Sequence, residues 1–200
     1  MPIKEWQVWN EPNSKQFWPG RPRAKQFAKL LKVSDKALRK GHGKAHVVLA
    51  GMFGDAKVPI VTYLRALYRV KRVERHFDSI ALHPYAPKIG SLKRQIRETR
   101  RAAKRGGDRR VGLQLTELGW SSERGGHPLM KGKGGQAKML KKSFRLLTRK
   151  RKKWNIEGVS WYSLRDSRNE ALCRFCSKSG LLNNGGSPKP AFRAFKKIAR

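Results

Sequence analysis

Two patterns of apolar and polar residues alternate along the chain. Short runs rich in β-branched and aromatic residues are separated by longer segments in which apolar residues recur every three or four positions. The short runs predict β-strands and the longer segments predict amphipathic helices. The predicted strands cover residues 3–9, 45–52, 77–83, 112–117 and 158–163. The predicted helices cover residues 24–40, 58–70, 92–105, 136–153 and 190–198.

Strict alternation of strands and helices favours one α/β architecture. Five strand–helix units in this order predict a parallel sheet with helices packed outside it. The expected architecture is therefore five units of a (β/α)8 barrel, and no linker marks a second domain in residues 1–200. No apolar run is long enough to cross a bilayer, so no membrane partner is expected.

The chain is strongly basic, with 48 Lys and Arg residues against 13 Asp and Glu residues and a net charge of +35. Such a charge attracts polyanions, including nucleic acid and acidic polysaccharide. The basic residues fall mainly on the polar faces of the predicted helices, as around the apolar stripe Ala137, Leu140, Phe144 and Leu147. This placement favours a generic basic surface with incidental polyanion binding at low salt.

Chemically reactive side chains follow the predicted strands. In a parallel barrel the ends of the strands form the site. The carboxyl end of the first strand carries Asn10 and Glu11, that of the third carries His83 and Tyr85, and that of the fourth carries Glu117 and Trp120. The last strand contains Trp161. Two carboxylates from different strands are what cleavage of a glycosidic bond requires.

Two strings carry a resemblance to a known family. The string Trp-Asn-Glu-Pro-Asn at 9–13 and the string Thr-Glu-Leu-Gly-Trp at 116–120 lie about a hundred residues apart, with His-Pro-Tyr-Ala-Pro at 83–87 between them. The chain resembles the C-terminal part of retaining glycoside hydrolases of the (β/α)8 clan whose catalytic glutamates lie on strands four and seven. Xylosidases, iduronidases and cellulase-like enzymes belong to that clan. The resemblance implies a TIM-barrel glycosidase of which only strands four to eight are present.

The resemblance also implies a role for each matched residue. Glu11 corresponds to the general acid/base and Glu117 to the nucleophile of a double displacement that hydrolyses O-glycosidic bonds. Asn10 corresponds to the group that binds the sugar 2-hydroxyl. His83 and Tyr85 are the candidates to orient the nucleophile.

Two tryptophans complete the predicted sugar-binding set. Trp161 is expected to form an apolar floor for the sugar, and Trp120 is expected to wall the same pocket. The implied partner is a carbohydrate, either an oligo- or polysaccharide or a small glycoside. No cofactor and no metal are expected, because this mechanism needs only two carboxylates and water.

The departures from the clan concern the first three barrel units. We find no sequence corresponding to strands one to three, so we expect an N-terminally truncated form of a longer, secreted parent, although this chain itself carries no signal peptide. A barrel without these strands leaves two sheet edges exposed, and exposed edges favour self-association. Turnover by the 200 residues alone is therefore in question.

Two other functions compete with the enzyme. The first is a basic protein that binds polyanions or nucleic acid on a decayed, inactive barrel, and the second is a non-catalytic glycan binder. Cys173 and Cys176 lack the further ligands that a zinc site needs and do not open a helix as a redox pair would. They are expected to be structural, either free or bridged to each other.

Overall fold

The computed structural model describes residues 3–54, 58–168 and 173–199. Five strands and five helices alternate in these residues. The strands are β1 (Glu5–Gln7), β2 (His46–Phe53), β3 (Ser79–His83), β4 (Gly112–Leu118) and β5 (Ile156–Trp161). The helices are α1 (Ala24–Gly41), α2 (Ile60–Tyr68), α3 (Ile89–Arg105), α4 (Gly132–Trp154) and α5 (Pro190–Ile198). Two short 3-10 helices lie at Val73–His76 and Cys176–Lys178.

The strands form a single parallel sheet in the order β1-β2-β3-β4-β5. This arrangement confirms the predicted fold class, five consecutive units of a (β/α)8 barrel. Because all strands run the same way, their carboxyl ends meet at one edge of the sheet. The side chains at the ends of β1, β3 and β4 are thereby brought to the same region.

The main core lies between the sheet and the helices. Leu49, Leu82 and Leu115 from the central strands are fully buried together with Phe27 of α1 and Leu92 of α3. The helices keep their charged residues outside this core, which is why α3 buries only Leu92, Ile96, Thr99, Ala102 and Ala103. None of the helices in the described residues is long and apolar enough to span a membrane.

A polar layer occupies the alternate positions of the strands, with one residue from each strand. These residues are Glu5, His46, Ser79, Gln114 and Glu157. Ser79 Oγ lies at its centre, 2.9 Å from His46 Nε2 and 3.2 Å from Gln114 Nε2. The face of the sheet opposite the helices is therefore polar near the amino ends of the strands.

Candidate active site

The loop after β1 carries Asn10 and Glu11 in a bent backbone. Asn10 pairs with Gly51 of β2, and the Glu11 amide donates a hydrogen bond to the Gly51 carbonyl at 2.9 Å. Trp9 and Glu11 have φ angles of 71° and 42°, in the left-handed region that favours glycine. The surrounding contacts hold the chain in this conformation, so Glu11 is directed by a strained but fixed backbone.

Asn13 fixes the same loop and was not singled out from the sequence. Its side chain is fully buried. The Asn13 amide group donates to the carbonyls of Phe53 and Val58, at 2.9 and 3.0 Å, and its oxygen accepts from the Phe53 amide at 3.1 Å. The second asparagine of the 9–13 string therefore ties the loop to the end of β2.

His83 lies between the two glutamates. Its ring is fully buried, with Nδ1 at 2.7 Å from Glu11 Oε1 and 3.5 Å from Glu117 Oε2. Nε2 lies 3.2 Å from Thr116 Oγ1. A side chain on Gly51 would not leave room for this ring, because a Cβ there would come within 2.0 Å of His83 Nε2. Gly51 is thus the residue that admits the imidazole beneath the carboxylates.

Glu117 is also held by a hydroxyl donor. The Tyr85 hydroxyl donates to Glu117 Oε2 at 2.7 Å. Burial raises the pKa of Glu117, and the nearby charge of Glu11 adds to this effect, whereas the charge of His83 and the Tyr85 hydrogen bond oppose it. Burial and the charge of Glu117 also hold the pKa of Tyr85 well above its ordinary value, so Tyr85 remains a donor at neutral pH.

Glu11, His83 and Glu117 form the group in the described residues that could hold a metal ion, with one ligand atom each and all three within 4.8 Å of one another. The short contact between His83 Nδ1 and Glu11 Oε1 has the length of a hydrogen bond. Two ligands of a tetrahedral zinc ion, each about 2.0–2.2 Å from the metal, lie farther apart than that. The observed geometry is that of a hydrogen bond between an imidazole and a carboxylate.

A cleft of about 530 Å³ opens over the carboxylates. Four of the predicted site residues line it, namely Asn10, Glu11, Tyr85 and Glu117. His83 is not at its surface but supports both glutamates from below. The structure therefore brings the predicted carboxylates, amide, imidazole and phenol together.

The two predicted tryptophans lie outside the lining of the cleft. Trp120 is fully buried, and its indole N–H donates to the Ala86 carbonyl at 2.7 Å. Trp161 donates to the Ser179 carbonyl at 3.0 Å, and the two indole rings pack 6.0 Å apart. Both indoles thus have their N–H groups satisfied by the protein.

Other aromatic residues line the cleft instead, and sequence reasoning missed them. They are Phe17, Phe53, His127, Tyr162 and Phe175. Phe175 lies between Cys173 and Cys176, which form a disulfide. This resolves the alternatives left open for the cysteines. The Cys-Arg-Phe-Cys string was the available signal, but it follows β5 at a distance and does not reveal which strand end it folds over.

Comparison with solved structures identifies the architecture. A family 39 glycoside hydrolase from Xanthomonas axonopodis pv. citri aligns with a TM-score of 0.68 at 20% identity, covering 96% of this chain and 40% of that one. A family 39 glycoside hydrolase from Bacteroides cellulosilyticus WH2 aligns with a TM-score of 0.68 at 20% identity, covering 98% of this chain and 40% of that one. A family 51 α-L-arabinofuranosidase from Bifidobacterium longum aligns with a TM-score of 0.72 at 14% identity, covering 98% of this chain and 45% of that one.

The fold is a partial (β/α)8 barrel, similar to part of the barrels of these glycoside hydrolases. The resemblance read from the sequence is therefore confirmed at the level of the fold. The chain spans about 40% of the length of the family 39 enzymes. No family model matches the sequence, and no curated protein is similar to it.

Proposed function

We propose that this chain carries the catalytic centre of a retaining O-glycosidase. The observation that carries the proposal is the hydrogen-bonded group of Glu11, His83, Tyr85 and Glu117 in a cleft at the carboxyl ends of parallel strands. The glycosidase fold of the structural neighbours supports it. The substrate is a carbohydrate with an O-glycosidic bond, and residues 1–200 act as one partial barrel domain.

Glu117 acts as the nucleophile. Its carboxylate attacks the anomeric carbon and forms a glycosyl ester, while the bond to the leaving oxygen breaks. The Tyr85 hydroxyl donates to Glu117 Oε2 and the His83 imidazole lies beside it, and both contacts favour the ionised carboxylate against the effect of burial. Asn10 lines the cleft beside Glu11 and binds the 2-hydroxyl of the sugar.

Glu11 acts as the acid and then as the base. It protonates the departing oxygen in the first step. In the second step it takes a proton from a water molecule whose oxygen bonds to the anomeric carbon, and the bond from that carbon to Glu117 breaks to free the carboxylate. His83 Nδ1 holds Glu11 Oε1 at 2.7 Å and so fixes the orientation of the carboxyl group through both steps.

The two carboxylates share one neighbour. His83 Nδ1 lies 2.7 Å from Glu11 Oε1 and 3.5 Å from Glu117 Oε2, and one oxygen atom of each carboxylate lies within 4.8 Å of the other. Both carboxylates can therefore reach the same sugar, as a double displacement requires.

The test uses a panel of aryl glycosides with good and poor leaving groups. Glu117→Gln is expected to abolish turnover of every substrate. Glu11→Gln is expected to abolish turnover of poor leaving groups but to retain glycosylation by 2,4-dinitrophenyl glycosides, since that leaving group needs no proton. Glu123→Gln, at an exposed glutamate outside the cleft, is the matched control and should keep full activity.

Retention of the anomeric configuration is tested separately. Proton NMR of the first-formed sugar should show the anomer of the substrate, and the opposite anomer would exclude the double displacement. Turnover that survives both glutamine substitutions would exclude Glu11 and Glu117 as the catalytic carboxylates, and a wild-type chain that hydrolyses no glycoside would exclude the glycosidase.

A further inference from the structure

A disulfide-closed turn forms one wall of the candidate active site. Cys173, Arg174, Phe175 and Cys176 all line the cleft. The disulfide joins the ends of this turn with a Cα–Cα distance of 5.2 Å, and the Cys176 amide donates to the Cys173 carbonyl at 3.1 Å. A backbone closed on both sides has little freedom, so the side chain of Phe175 is held in place.

Phe175 packs directly against the tyrosine that holds Glu117. Its ring lies 5.2 Å from the Tyr85 ring in an edge-to-face arrangement and stacks on the His127 ring at 5.1 Å. Phe175 is 7% exposed. The other recorded ring partners of Tyr85 in the described residues are farther away, with His83 at 6.5 Å, Phe53 at 6.2 Å and Tyr162 at 6.5 Å.

The position of the Tyr85 hydroxyl follows from the packing of its ring, because the hydroxyl oxygen lies in the plane of a rigid phenol. That hydroxyl donates to Glu117 Oε2 at 2.7 Å. A shift of the ring of a few tenths of an ångström would lengthen this bond and remove part of the support for the ionised carboxylate.

We propose that Phe175, clamped between Cys173 and Cys176, is a positioning residue that acts on Glu117 through Tyr85. Loosening the turn weakens the hydrogen bond from Tyr85 to the carboxylate, although neither cysteine nor the phenylalanine takes part in the chemistry. The catalytic consequence rests on the proposed function, whereas the effect on the Glu117 carboxyl group does not.

The first measurement is the pKa of the Glu117 carboxyl group. It is obtained from a pH titration monitored by carbon-13 NMR, in protein labelled at the glutamate carboxyl carbon. Glu117→Gln identifies the signal. Phe175→Leu keeps most of the apolar volume, so burial changes little. It is expected to raise the pKa of Glu117 by about 0.5 to 1 unit, part of the roughly one to two units that a charge-assisted hydrogen bond is worth.

Phe17→Leu is the matched control. Phe17 lines the same cleft but is not among the rings recorded against Tyr85 in the described residues. The Phe17→Leu substitution should leave the pKa of Glu117 unchanged. An equal shift in both variants would mean that any loss of aromatic lining acts on Glu117, and the proposal would be overturned.

A double-mutant comparison with Tyr85→Phe tests whether Phe175 acts on Glu117 through the Tyr85 hydroxyl or only supports the fold. Phe175→Leu should shift the Glu117 pKa in the wild-type background and leave it unchanged in the Tyr85→Phe background, where there is no hydroxyl to misplace. Equal shifts in the two backgrounds would contradict the proposal.

The disulfide is tested in the same way. Cys173→Ser/Cys176→Ser should reproduce the shift caused by Phe175→Leu. A water-soluble phosphine should do so in the unmodified protein, where it takes oxygen from water to become the phosphine oxide while the disulfide gains two electrons and two protons as two thiols. Removal of the disulfide with no effect on Glu117 would exclude the clamp.

Turnover supplies the readout that distinguishes the two proposals. The acidic limb of the pH–rate profile for hydrolysis of an aryl glycoside should lie at a higher pH in the Phe175→Leu variant. The rate at the pH optimum should change less than threefold. If the wild-type chain hydrolyses no glycoside, the proposed function fails, and the NMR titration still decides the role of Phe175.

Discussion

Glu117 is a nucleophile candidate whose environment works against its charge. Burial and Glu11 raise its pKa, and Tyr85 and His83 lower it. A carboxylate nucleophile is active above its pKa and inactive below it. The acidic limb of the pH–rate profile should therefore lie above the ordinary glutamate pKa of about 4.3.

Tyr85→Phe is expected to move the acidic limb of the pH–rate profile to a still higher pH. The substitution removes a hydrogen bond that favours the ionised form, so the pKa of Glu117 rises and activity is lost at a higher pH as the solution is acidified. A charge-assisted hydrogen bond contributes about 1.5–3 kcal/mol, which corresponds to a loss of roughly tenfold or more in kcat/KM below the new pKa. The profile measured on one aryl glycoside from pH 4 to pH 9 (about one-half-unit steps) checks the direction, and an unchanged limb would contradict it.

Gly51→Ala should disable the site from β2, a strand that supplies none of the hydrogen-bonded group Glu11, His83, Tyr85 and Glu117. The added Cβ would come within 2.0 Å of His83 Nε2, so the imidazole must leave its place between the glutamates. Overpacking of this kind costs about 1–3 kcal/mol of folding free energy.

The expected result for Gly51→Ala is a loss of activity larger than the loss of stability explains, measured by turnover and urea unfolding. Gly158→Ala is the control, since the nearest atom to a Cβ there is Gln114 Oε1 at 3.8 Å. Wild-type activity in Gly51→Ala would show that His83 need not lie where the structure has it.

At the scale of elements, a buried lysine joins α5 to the loops around the cleft. Lys189 is 1% exposed at the start of α5, and its ammonium group lies 2.5 Å from Asp166 Oδ1 and 2.8 Å from Ser122 Oγ. Burial lowers the pKa of Lys189. Removing one partner of a buried ion pair leaves the other charge unpaired, which is strongly destabilising.

Lys189→Met is therefore expected to lower the free energy of unfolding by roughly 3–5 kcal/mol. Lys197→Met, at an exposed position of the same helix, should change it little. Urea unfolding of the two variants makes the comparison, and similar midpoints would show that the pair contributes nothing to stability.

The elements were largely predictable because periodicity depends on local sequence. The helix predicted at 190–198 matches α5, and the strand predicted at 112–117 is one residue shorter than β4. The ends of β1 were less predictable, with 3–9 expected and Glu5–Gln7 observed. Trp9 explains part of this difference, since its left-handed backbone cannot continue a strand.

The contents of the cleft were predictable only in part. Asn10, Glu11, Tyr85 and Glu117 lie at or within a few residues of the carboxyl ends of their strands, so the parallel sheet brings them together. Phe175 belongs to a long connection after β5, and its position depends on a disulfide and on packing against Tyr85. The burial of Trp120 was equally unpredictable from the sequence, because a tryptophan after a strand fits either a buried or a sugar-facing position.

At the scale of the whole molecule, basic side chains cover the outer helices. The positive charge should bind heparin or DNA through released counterions, with an affinity that falls steeply as salt rises. Glu11→Gln and Glu117→Gln should leave this binding unchanged. Retention on a heparin column at several salt concentrations checks the prediction, and binding that persists at about 1 M salt would indicate a specific site.

The edge strand β1 is the place where self-association is expected. Its three residues are exposed, and Ile3, Trp6 and Trp9 are 65%, 40% and 48% exposed along the same edge. An exposed apolar edge pairs readily with another strand. Trp6→Lys should shift the mass measured by light scattering toward the monomer, with the exposed Val33→Lys on α1 as control, and equal masses for both variants would contradict this role of the edge.

The strained backbone at Glu11 has a consequence for the evolution of this protein. A non-glycine residue held at a left-handed φ costs about 1–3 kcal/mol, and glycine at the same position relieves most of that cost. Selection for heat tolerance alone should thus enrich glycine at position 11 and discard the acid. Glutamate at this position in a set of relatives would therefore indicate selection on the side chain and not on the stability of the loop.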